Sequence, residues 1–90
     1  MCGIAGIIDQ TGYSNDNVLR NMREALAHRG PDSAAQNSWT SLCYVGLAHR
    51  RLAILDTSDL GTQPMHFQQL SLVFNGEIYN FKALKKELEA

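Results

Sequence analysis

The most reactive side chain near the start of the chain is the thiol of Cys2, within the apolar stretch "MCGIAGIID". Removal of Met1, which a small second residue permits, would set this thiol beside a free α-amine. An α-amine has a pKa of about 7.7–8.0, so part of it is free base at neutral pH and can accept the thiol proton. A thiol of pKa about 8.5 is a capable nucleophile, and no histidine is then needed. The alternative is that Cys2 is only a small hydrophobic residue of a buried strand.

The elements around Cys2 follow from hydrophobic spacing. Apolar residues on both alternation faces of 2–9 predict a strand covered on both sides. Apolar residues at helical spacing predict an amphipathic helix over 17–28. We expect Gly30 to take the left-handed conformation after this helix, and Pro31 forbids its continuation.

The second half of the chain is predicted to form strands followed by a helix. The strands are predicted at 42–49, 51–55 and 70–75. Residues 63–69 are predicted to be a loop, because Pro64 argues against a central strand. Asn80 is a candidate cap for a final helix that is still running at Ala90. The order strand, helix, several strands, helix predicts an α+β fold with sheet covered on both faces.

Composition limits the class of protein. The 90 residues carry a net charge of -1, with 44% hydrophobic and 19% charged residues, which fits one small globular domain. Nothing favours nucleic acid or a membrane as partner, and the absence of a signal peptide predicts a cytoplasmic, reducing location. A Cys2–Cys43 disulfide is disfavoured there, and Cys43 is expected to be inert core. No Cys or His spacing suggests a metal site.

Four stretches together resemble one known family. They are "MCGIAGIID" at the start, "HRGPDS" at 28–33, "HRRLAILD" at 49–56 and "FNGEIYN" at 74–80. In this order they resemble the class II glutamine amidotransferase domain of glutamine-hydrolysing asparagine synthetases. The sugar-phosphate and purine-pathway amidotransferases share the N-terminal cysteine, but they carry an aromatic-rich stretch at the arginine motif and a histidine before Asn-Gly.

This resemblance implies a fold and a division into domains. The fold is that of the N-terminal nucleophile (Ntn) hydrolases, a four-layer αββα sandwich of antiparallel sheets. Residues 1–90 would be the N-terminal part of a type-2 glutamine amidotransferase domain, and the rest of that domain and a synthetase domain would lie outside this chain. An aspartate ligand of the glutamine α-amino group would lie there too. The family has a glycine soon after "HRGPD", where this sequence has Ala34 and Ala35.

The resemblance also assigns catalytic roles. Cys2 would be the nucleophile, with its own α-amine as base. Asn75 and Gly76 would form the oxyanion hole, since the carboxamide and a backbone N–H without a neighbouring Cβ can both donate to a developing oxyanion. The alternative for Asn-Gly is an ordinary hairpin turn, and both can hold at once.

Recognition of glutamine would depend on its charged α-carbon end. Arg51 would pair with the α-carboxylate and Glu77 would accept from the α-ammonium. Strand alternation sends Arg50 to the opposite face. The pocket would also be lined by the backbone of Leu52, Ala53, Ile54 and Leu55, together with Asn75 and Gly76. Arg29 and Asp32 would brace the nucleophile, although a helix stop with a local ion pair explains them equally well.

The function implied is a glutaminase in asparagine biosynthesis, and thus part of a ligase. It would release ammonia from L-glutamine for the ATP-dependent conversion of aspartate to asparagine by a synthetase domain, in cis or on a separate chain. No cofactor is expected in this segment, whereas ATP and Mg²⁺ are implied for the synthetase domain. Two alternatives remain: delivery of ammonia to another acceptor, as in sugar- or exopolysaccharide-related members, and a truncated, non-catalytic remnant that only binds.

Overall fold

A computed structural model describes residues 2–52, 62–76 and 78–90 of the chain. The elements in these ranges are β1 Gly3–Asp9, α1 Asp16–Ala25, β2 Ser33–Thr40, β3 Tyr44–Arg51, β4 Met65–Phe67, β5 Leu70–Leu72 and α2 Phe81–Glu89. All strand pairs are antiparallel. The predicted α+β class is therefore confirmed, and the arrangement is consistent with the N-terminal part of an Ntn-hydrolase sandwich.

The larger sheet has the strand order β1–β3–β2, with β3 in the centre. β1 pairs with β3 from Gly3 opposite Arg50 to Asp9 opposite Tyr44. β2 pairs with the other edge of β3 along its whole length. Because paired residues share a face of the sheet, this register fixes which side chains of β1 and β3 lie together.

Helix α1 packs on one face of this sheet. The Asn15 side chain caps the helix by accepting hydrogen bonds from the backbone N–H groups of Asn17 (2.9 Å) and Val18 (3.2 Å). Leu19 is fully buried, and a Cβ added to Gly46 would come within 2.8 Å of its Cδ2 atom. Burial of one leucine contributes about 1.5–3 kcal/mol, so this contact anchors the helix to β3.

The end of α1 differs from the prediction in two respects. The helix ends at Ala25 instead of continuing to residue 28, and the chain goes on through hydrogen-bonded turns. Gly30 does not have the positive φ expected of a left-handed cap. A Cβ at Gly30 would instead lie 2.4 Å from the carbonyl carbon and oxygen of Arg50. The glycine is required because two backbones approach closely.

Strand β2 was not predicted. Its sequence "SAAQNSWT" is polar and lacks alternation, so only its pairing with β3 defines it as a strand. Ala34 and Ala35 lie inside this strand, where no turn requires the glycine that the family pattern has.

Strand β3 covers most of the strand predicted at 42–49 but begins at Tyr44 and continues to Arg51. Of the strand predicted at 51–55, Arg51 belongs to β3, and residues 53–55 lie outside the described residues. Cys43 precedes β3 in a turn and is half-buried, so the prediction that it is a mid-strand core residue is wrong.

Strands β4 and β5 form a short hairpin where a loop was predicted at 63–69. Pro64 directly precedes β4, so it removes no hydrogen bond from the strand, and Gln68 takes a positive φ of 54° in the hairpin turn. His66 of this hairpin bonds the Asn37 side chain of β2 (3.1 Å) and stacks edge-on against Trp39, with ring centroids 6.2 Å apart. The hairpin therefore lies on the face of β2 that points away from α1.

Much apolar surface remains uncovered in the described parts of the chain. Ile4 and Ile8 of β1 are 45% and 79% exposed, so the predicted cover on both faces of this strand is wrong within this segment. The predicted final helix is confirmed as α2, but it buries none of its residues and Asn80 makes no side-chain cap bond. None of the described helices has the length and apolar character needed to cross a membrane.

Candidate active site

Cys2 lies immediately before β1 and is half-buried. The backbone N–H of Leu52 donates to its sulfur at 3.4 Å, and the thiol contacts the Leu52 carbonyl oxygen at 3.8 Å. Continuing the β1–β3 register by one residue sets Cys2 opposite Arg51. Directly opposite residues have Cβ atoms about 5 Å apart, so the predicted nucleophile and the predicted carboxylate ligand are neighbours.

The segment after α1 fastens this end of the sheet. The Arg29 guanidinium donates from Nε to the Cys2 carbonyl at 3.0 Å. The Asp32 N–H donates to the Arg51 carbonyl at 2.9 Å. Gly30 also packs against the β3 backbone. The "HRGPD" segment thus contacts Cys2 and Arg51, as the predicted bracing role requires.

The two adjacent arginines lie on opposite faces of β3. Arg50 faces α1, where its guanidinium pairs with Glu24 (3.3 Å) and donates to the Gly30 carbonyl (2.9 Å). Arg51 is only 8% exposed and, by alternation, lies on the other face with His49 and Cys2. Arg50 is therefore paired on the α1 side of β3, and Arg51 lies on the face of the predicted site.

Sequence reasoning did not identify His49, which is 2% exposed on the same face. Burial is the main cause that lowers the pKa of His49, and the positive charge of Arg51 also lowers it, whereas a hydrogen bond to the Phe74 backbone raises it. The net effect keeps the imidazole neutral at neutral pH. The signal that could have indicated it is its place in the "HRR" motif, two residues before Arg51.

The predicted oxyanion residues follow Phe74 directly. Asn75 and Gly76 are both exposed, and a Cβ at Gly76 would come within 3.1 Å of the Phe74 ring. Burial lowers the pKa of His49, which lies on the face of β3 that carries Arg51, and the backbone of Phe74 raises that pKa less strongly. The other predicted ligands, Ala53, Ile54, Leu55 and Glu77, lie outside the described residues.

A second polar cluster lies at the far end of β1. A pocket of about 410 Å³ opens there between the start of α1 and the loop before β3. Hydrogen bonds from Ser38 (2.6 Å) and Tyr44 (2.8 Å) lower the pKa of Asp16, and burial raises the pKa of Tyr44. These groups satisfy one another, and the described residues contain no group of three His, Cys, Asp or Glu side chains placed to hold a metal ion.

An antiparallel α+β fold with a cysteine at the head of its first strand is consistent with the N-terminal part of an N-terminal nucleophile hydrolase. The sequence matches the glutamine amidotransferase domain family over residues 1–90, and the chain belongs to that family. No solved structure is significantly similar to it.

Several curated proteins are similar to the whole chain. Asparagine synthetase (glutamine-hydrolyzing) 1 of Bacillus subtilis is 34% identical over 100% of the chain and 15% of its own length. A putative asparagine synthetase (glutamine-hydrolyzing) 2 of Methanocaldococcus jannaschii is 36% identical over 97% of the chain and 20% of its own length. Amidase chry2 of Gibberella zeae is 38% identical over 98% of the chain and 15% of its own length. The chain therefore spans only 15–20% of these relatives.

Proposed function

We propose that this chain is the N-terminal part of a glutaminase that hydrolyses L-glutamine to L-glutamate and ammonia. The observation that carries the proposal is the position of the Cys2 thiol on the Leu52 backbone, in register with Arg51. This arrangement occurs in a chain that belongs throughout to the glutamine amidotransferase domain family.

The proposed chemistry begins with removal of Met1. The freed α-amine of Cys2 takes the thiol proton, and the sulfur attacks the side-chain amide carbon of glutamine. The oxyanion of the tetrahedral intermediate accepts hydrogen bonds from the Asn75 carboxamide and the Gly76 N–H. The α-ammonium returns its proton to the leaving nitrogen, ammonia departs, and a thioester remains. Water activated by the α-amine then attacks the thioester, which releases glutamate and regenerates the thiol.

Substrate recognition in this proposal uses the buried face of the site. Arg51 forks onto the α-carboxylate, because a guanidinium matches the two carboxylate oxygens. Glu77 accepts from the α-ammonium, and the backbone from Leu52 to Leu55 lines the pocket. Arg29 and Asp32 hold Cys2 and Arg51 through main-chain contacts. The glutaminase step needs no cofactor.

For the ammonia acceptor we propose aspartate, activated by ATP and Mg²⁺ in a synthetase domain in cis or on a separate chain. The relatives named asparagine synthetases support this choice, and it makes the whole protein a cytoplasmic ligase of asparagine biosynthesis. The relative named an amidase favours testing a second acceptor. Ammonia released by the same glutaminase would then aminate a different activated substrate.

We further propose that residues 1–90 form a partial domain whose apolar surface is covered by the rest of the domain. The chain exposes 6904 Å², whereas a folded monomer of 10.0 kDa exposes about 5,200 Å². Expressed alone, the segment should show poor hydrogen-exchange protection in α2 and release no ammonia from glutamine. A cooperative melt with turnover by the isolated segment would contradict the partial-domain proposal.

The nucleophile is tested in the full natural protein that carries this segment. Cys2→Ala should abolish glutamine hydrolysis while ammonia-dependent asparagine synthesis persists. Cys43→Ala is the matched control, because this half-buried cysteine lies in the turn before β3, and it should leave both reactions unchanged. Intact mass should show Met1 absent from active protein. Retained Met1 in an active sample, or glutaminase activity in Cys2→Ala, would overturn the mechanism.

A further inference from the structure

The β4–β5 hairpin leads directly into the proposed oxyanion residues. Met65 pairs with Leu72 in this hairpin. Continuing that register by two residues sets Gln63 opposite Phe74. At this point the Phe74 backbone N–H donates to the Gln63 Oε1 atom at 2.6 Å. This hydrogen bond closes the base of the hairpin at the residue before Asn75, so the place of Asn75 depends on the place of the hairpin.

A single side chain of the hairpin contacts two residues of β2. The Nε2 atom of His66 lies 3.1 Å from Nδ2 of Asn37, and the His66 ring packs edge-on against Trp39. Across the hairpin, the Nδ1 atom of His66 is hydrogen-bonded to the Ser71 hydroxyl at 2.8 Å. The Ser38 N–H donates to Oδ1 of Asn37 at 3.0 Å, which keeps Nδ2 of this amide toward the ring. These contacts attach the hairpin to the larger sheet.

The reach of the hairpin matches the distance from this attachment to the proposed site. Along β2, Asn37 is four residues from Ser33, which lies opposite Arg51. Along the hairpin, Ser71 is likewise four residues from Asn75. Four residues of extended chain span about 13 Å. A hairpin that runs along the sheet from its attachment therefore has the length to deliver the oxyanion donors to the row of the arginine and the nucleophile.

We propose that Gln63 is a positioning residue that holds Asn75 and Gly76 against the oxyanion through the Phe74 N–H, within a hairpin that His66 attaches to β2. This inference rests on the proposed glutaminase function. Gln63 takes no part in the chemistry; it fixes the backbone of the residue before the oxyanion donors. A displacement of about 1 Å caused by a change away from the reacting atoms can cost about 10²-fold in rate, so a hold on one backbone N–H can matter.

The first test compares two substitutions at Gln63 in the full natural protein. Gln63→Leu removes the acceptor, whereas Gln63→Glu keeps an acceptor oxygen of similar reach. Gln69→Leu, the same change at an exposed position in the hairpin turn, is the matched control. Gln63→Leu should lose about 10-fold in kcat for glutamine with KM changed less than about threefold, because the donors are proposed to act in the transition state. Gln63→Glu should keep most of the wild-type kcat, and the control should match the wild type.

The second test loosens the attachment to β2. His66→Phe keeps a ring beside Trp39 but removes the hydrogen bonds to Asn37 and Ser71. We expect a smaller loss of kcat, about threefold, because the base of the hairpin stays closed. Combining His66→Phe with Asn37→Ala should cost no more than His66→Phe alone, since both changes remove the same hydrogen bond. Additive losses would overturn the attachment of the hairpin through His66.

A third measurement reads the loop without turnover. Hydrogen exchange of the Phe74 amide should accelerate in Gln63→Leu and return toward the wild-type rate in Gln63→Glu. If Gln63→Leu does not accumulate, His66→Phe tests the same loop by its kcat. Equal impairment of the two Gln63 variants, a rise in KM alone, or unchanged exchange would overturn the positioning role. Absence of glutaminase activity in the wild type would instead overturn the proposed function, and the exchange rates alone would then decide whether Gln63 holds the loop.

Discussion

The two ends of the β1–β3–β2 sheet use polar groups in opposite ways. At the far end, Asp16 accepts hydrogen bonds from the hydroxyl groups of Ser38 and Tyr44. At the near end, the contacts run to main-chain atoms: Arg29 binds the carbonyl of Cys2, and the Asp32 N–H binds that of Arg51. At the far end a carboxylate accepts from side-chain hydroxyl groups, whereas at the near end the acceptors are the main-chain carbonyls of Cys2 and Arg51.

This difference favours the near end, rather than the pocket at the far end, as the site of the proposed chemistry. The pocket beside Asp16 has a volume of about 410 Å³, but the carboxylates of Asp9 and Asp16 that line it already accept hydrogen bonds within the fold. At the near end, the Cys2 sulfur receives the backbone N–H of Leu52 at 3.4 Å. Polar groups that are already hydrogen-bonded within the fold contribute to its stability, so the proposed reactive group is the thiol at the near end.

Among these kinetic comparisons, the largest expected loss of kcat is that of Asn75→Ala at the near end, measured in the full natural protein. Asn75→Ala removes donors that bond the tetrahedral oxyanion better than the ground-state amide. Loss of one such donor lowers kcat by about 10²–10³, and KM for glutamine should change little. Steady-state kinetics with glutamine and with ammonia measure the two effects separately. A change mainly in KM would assign Asn75 to ground-state binding instead.

Arg51→Ala should act on binding first. The α-carboxylate carries the same charge in ground and transition states, so its partner contributes equally to both. Charge-assisted hydrogen bonds are worth about 1.5–3 kcal/mol, which corresponds to a rise in KM of about 10–100-fold. Arg50→Ala is the matched comparison, because Arg50 faces α1 and Glu24, and it should leave KM unchanged. If ammonia-dependent synthesis is lost with either change, the assignment of roles is wrong.

The main elements around Cys2 could be predicted from the sequence because the hydrophobic patterns that indicate them lie within short segments. The apolar run after Cys2 gives β1, and the helical spacing around Leu19 gives α1. The opposite faces of Arg50 and Arg51 follow from strand alternation alone. Membership of the glutamine amidotransferase domain family was readable from the order of four short motifs and is confirmed over residues 1–90.

The parts of the fold that the sequence did not predict depend on contacts between distant residues, which no short sequence pattern encodes. The polar sequence of β2 is a strand only because β3 lies beside it, and Gly30 is required only because the β3 backbone passes within reach of its missing Cβ. The roles of Asn75 and Arg51 in catalysis stay predictions, which the kinetic comparisons of their alanine variants test.

Gly30→Ala should disturb both the "HRGPD" segment and strand β3, because the added Cβ would clash with the β3 backbone. The added Cβ would lie 2.4 Å from the carbonyl carbon and oxygen of Arg50 and 2.6 Å from the Arg51 nitrogen, and these backbone atoms cannot move aside cheaply. We expect a destabilisation of about 1–3 kcal/mol in β3, measured by native-state hydrogen exchange, with reduced glutaminase activity. Gly6→Ala is the control, since its Cβ would meet only ordinary contacts at 3.5 Å and 3.6 Å. Equal effects of the two substitutions would contradict the close-approach explanation.

The smallest effect is expected at the far end and depends on pH. Bonds from Ser38 and Tyr44 lower the pKa of Asp16 in the folded state, so its carboxylate contributes stability above the unfolded pKa of about 3.9 and loses it as pH falls through the folded value. Asp16→Asn should therefore weaken exchange protection of α1 and β3 at pH 7, and this difference from the wild type should shrink toward zero in acid. Glutamine turnover at pH 7 should stay unchanged, because Asp16 and Cys2 lie at opposite ends of the sheet. A difference in protection that does not vary with pH would mean that the charge of Asp16 contributes nothing, and a loss of turnover would mean that the two ends are coupled.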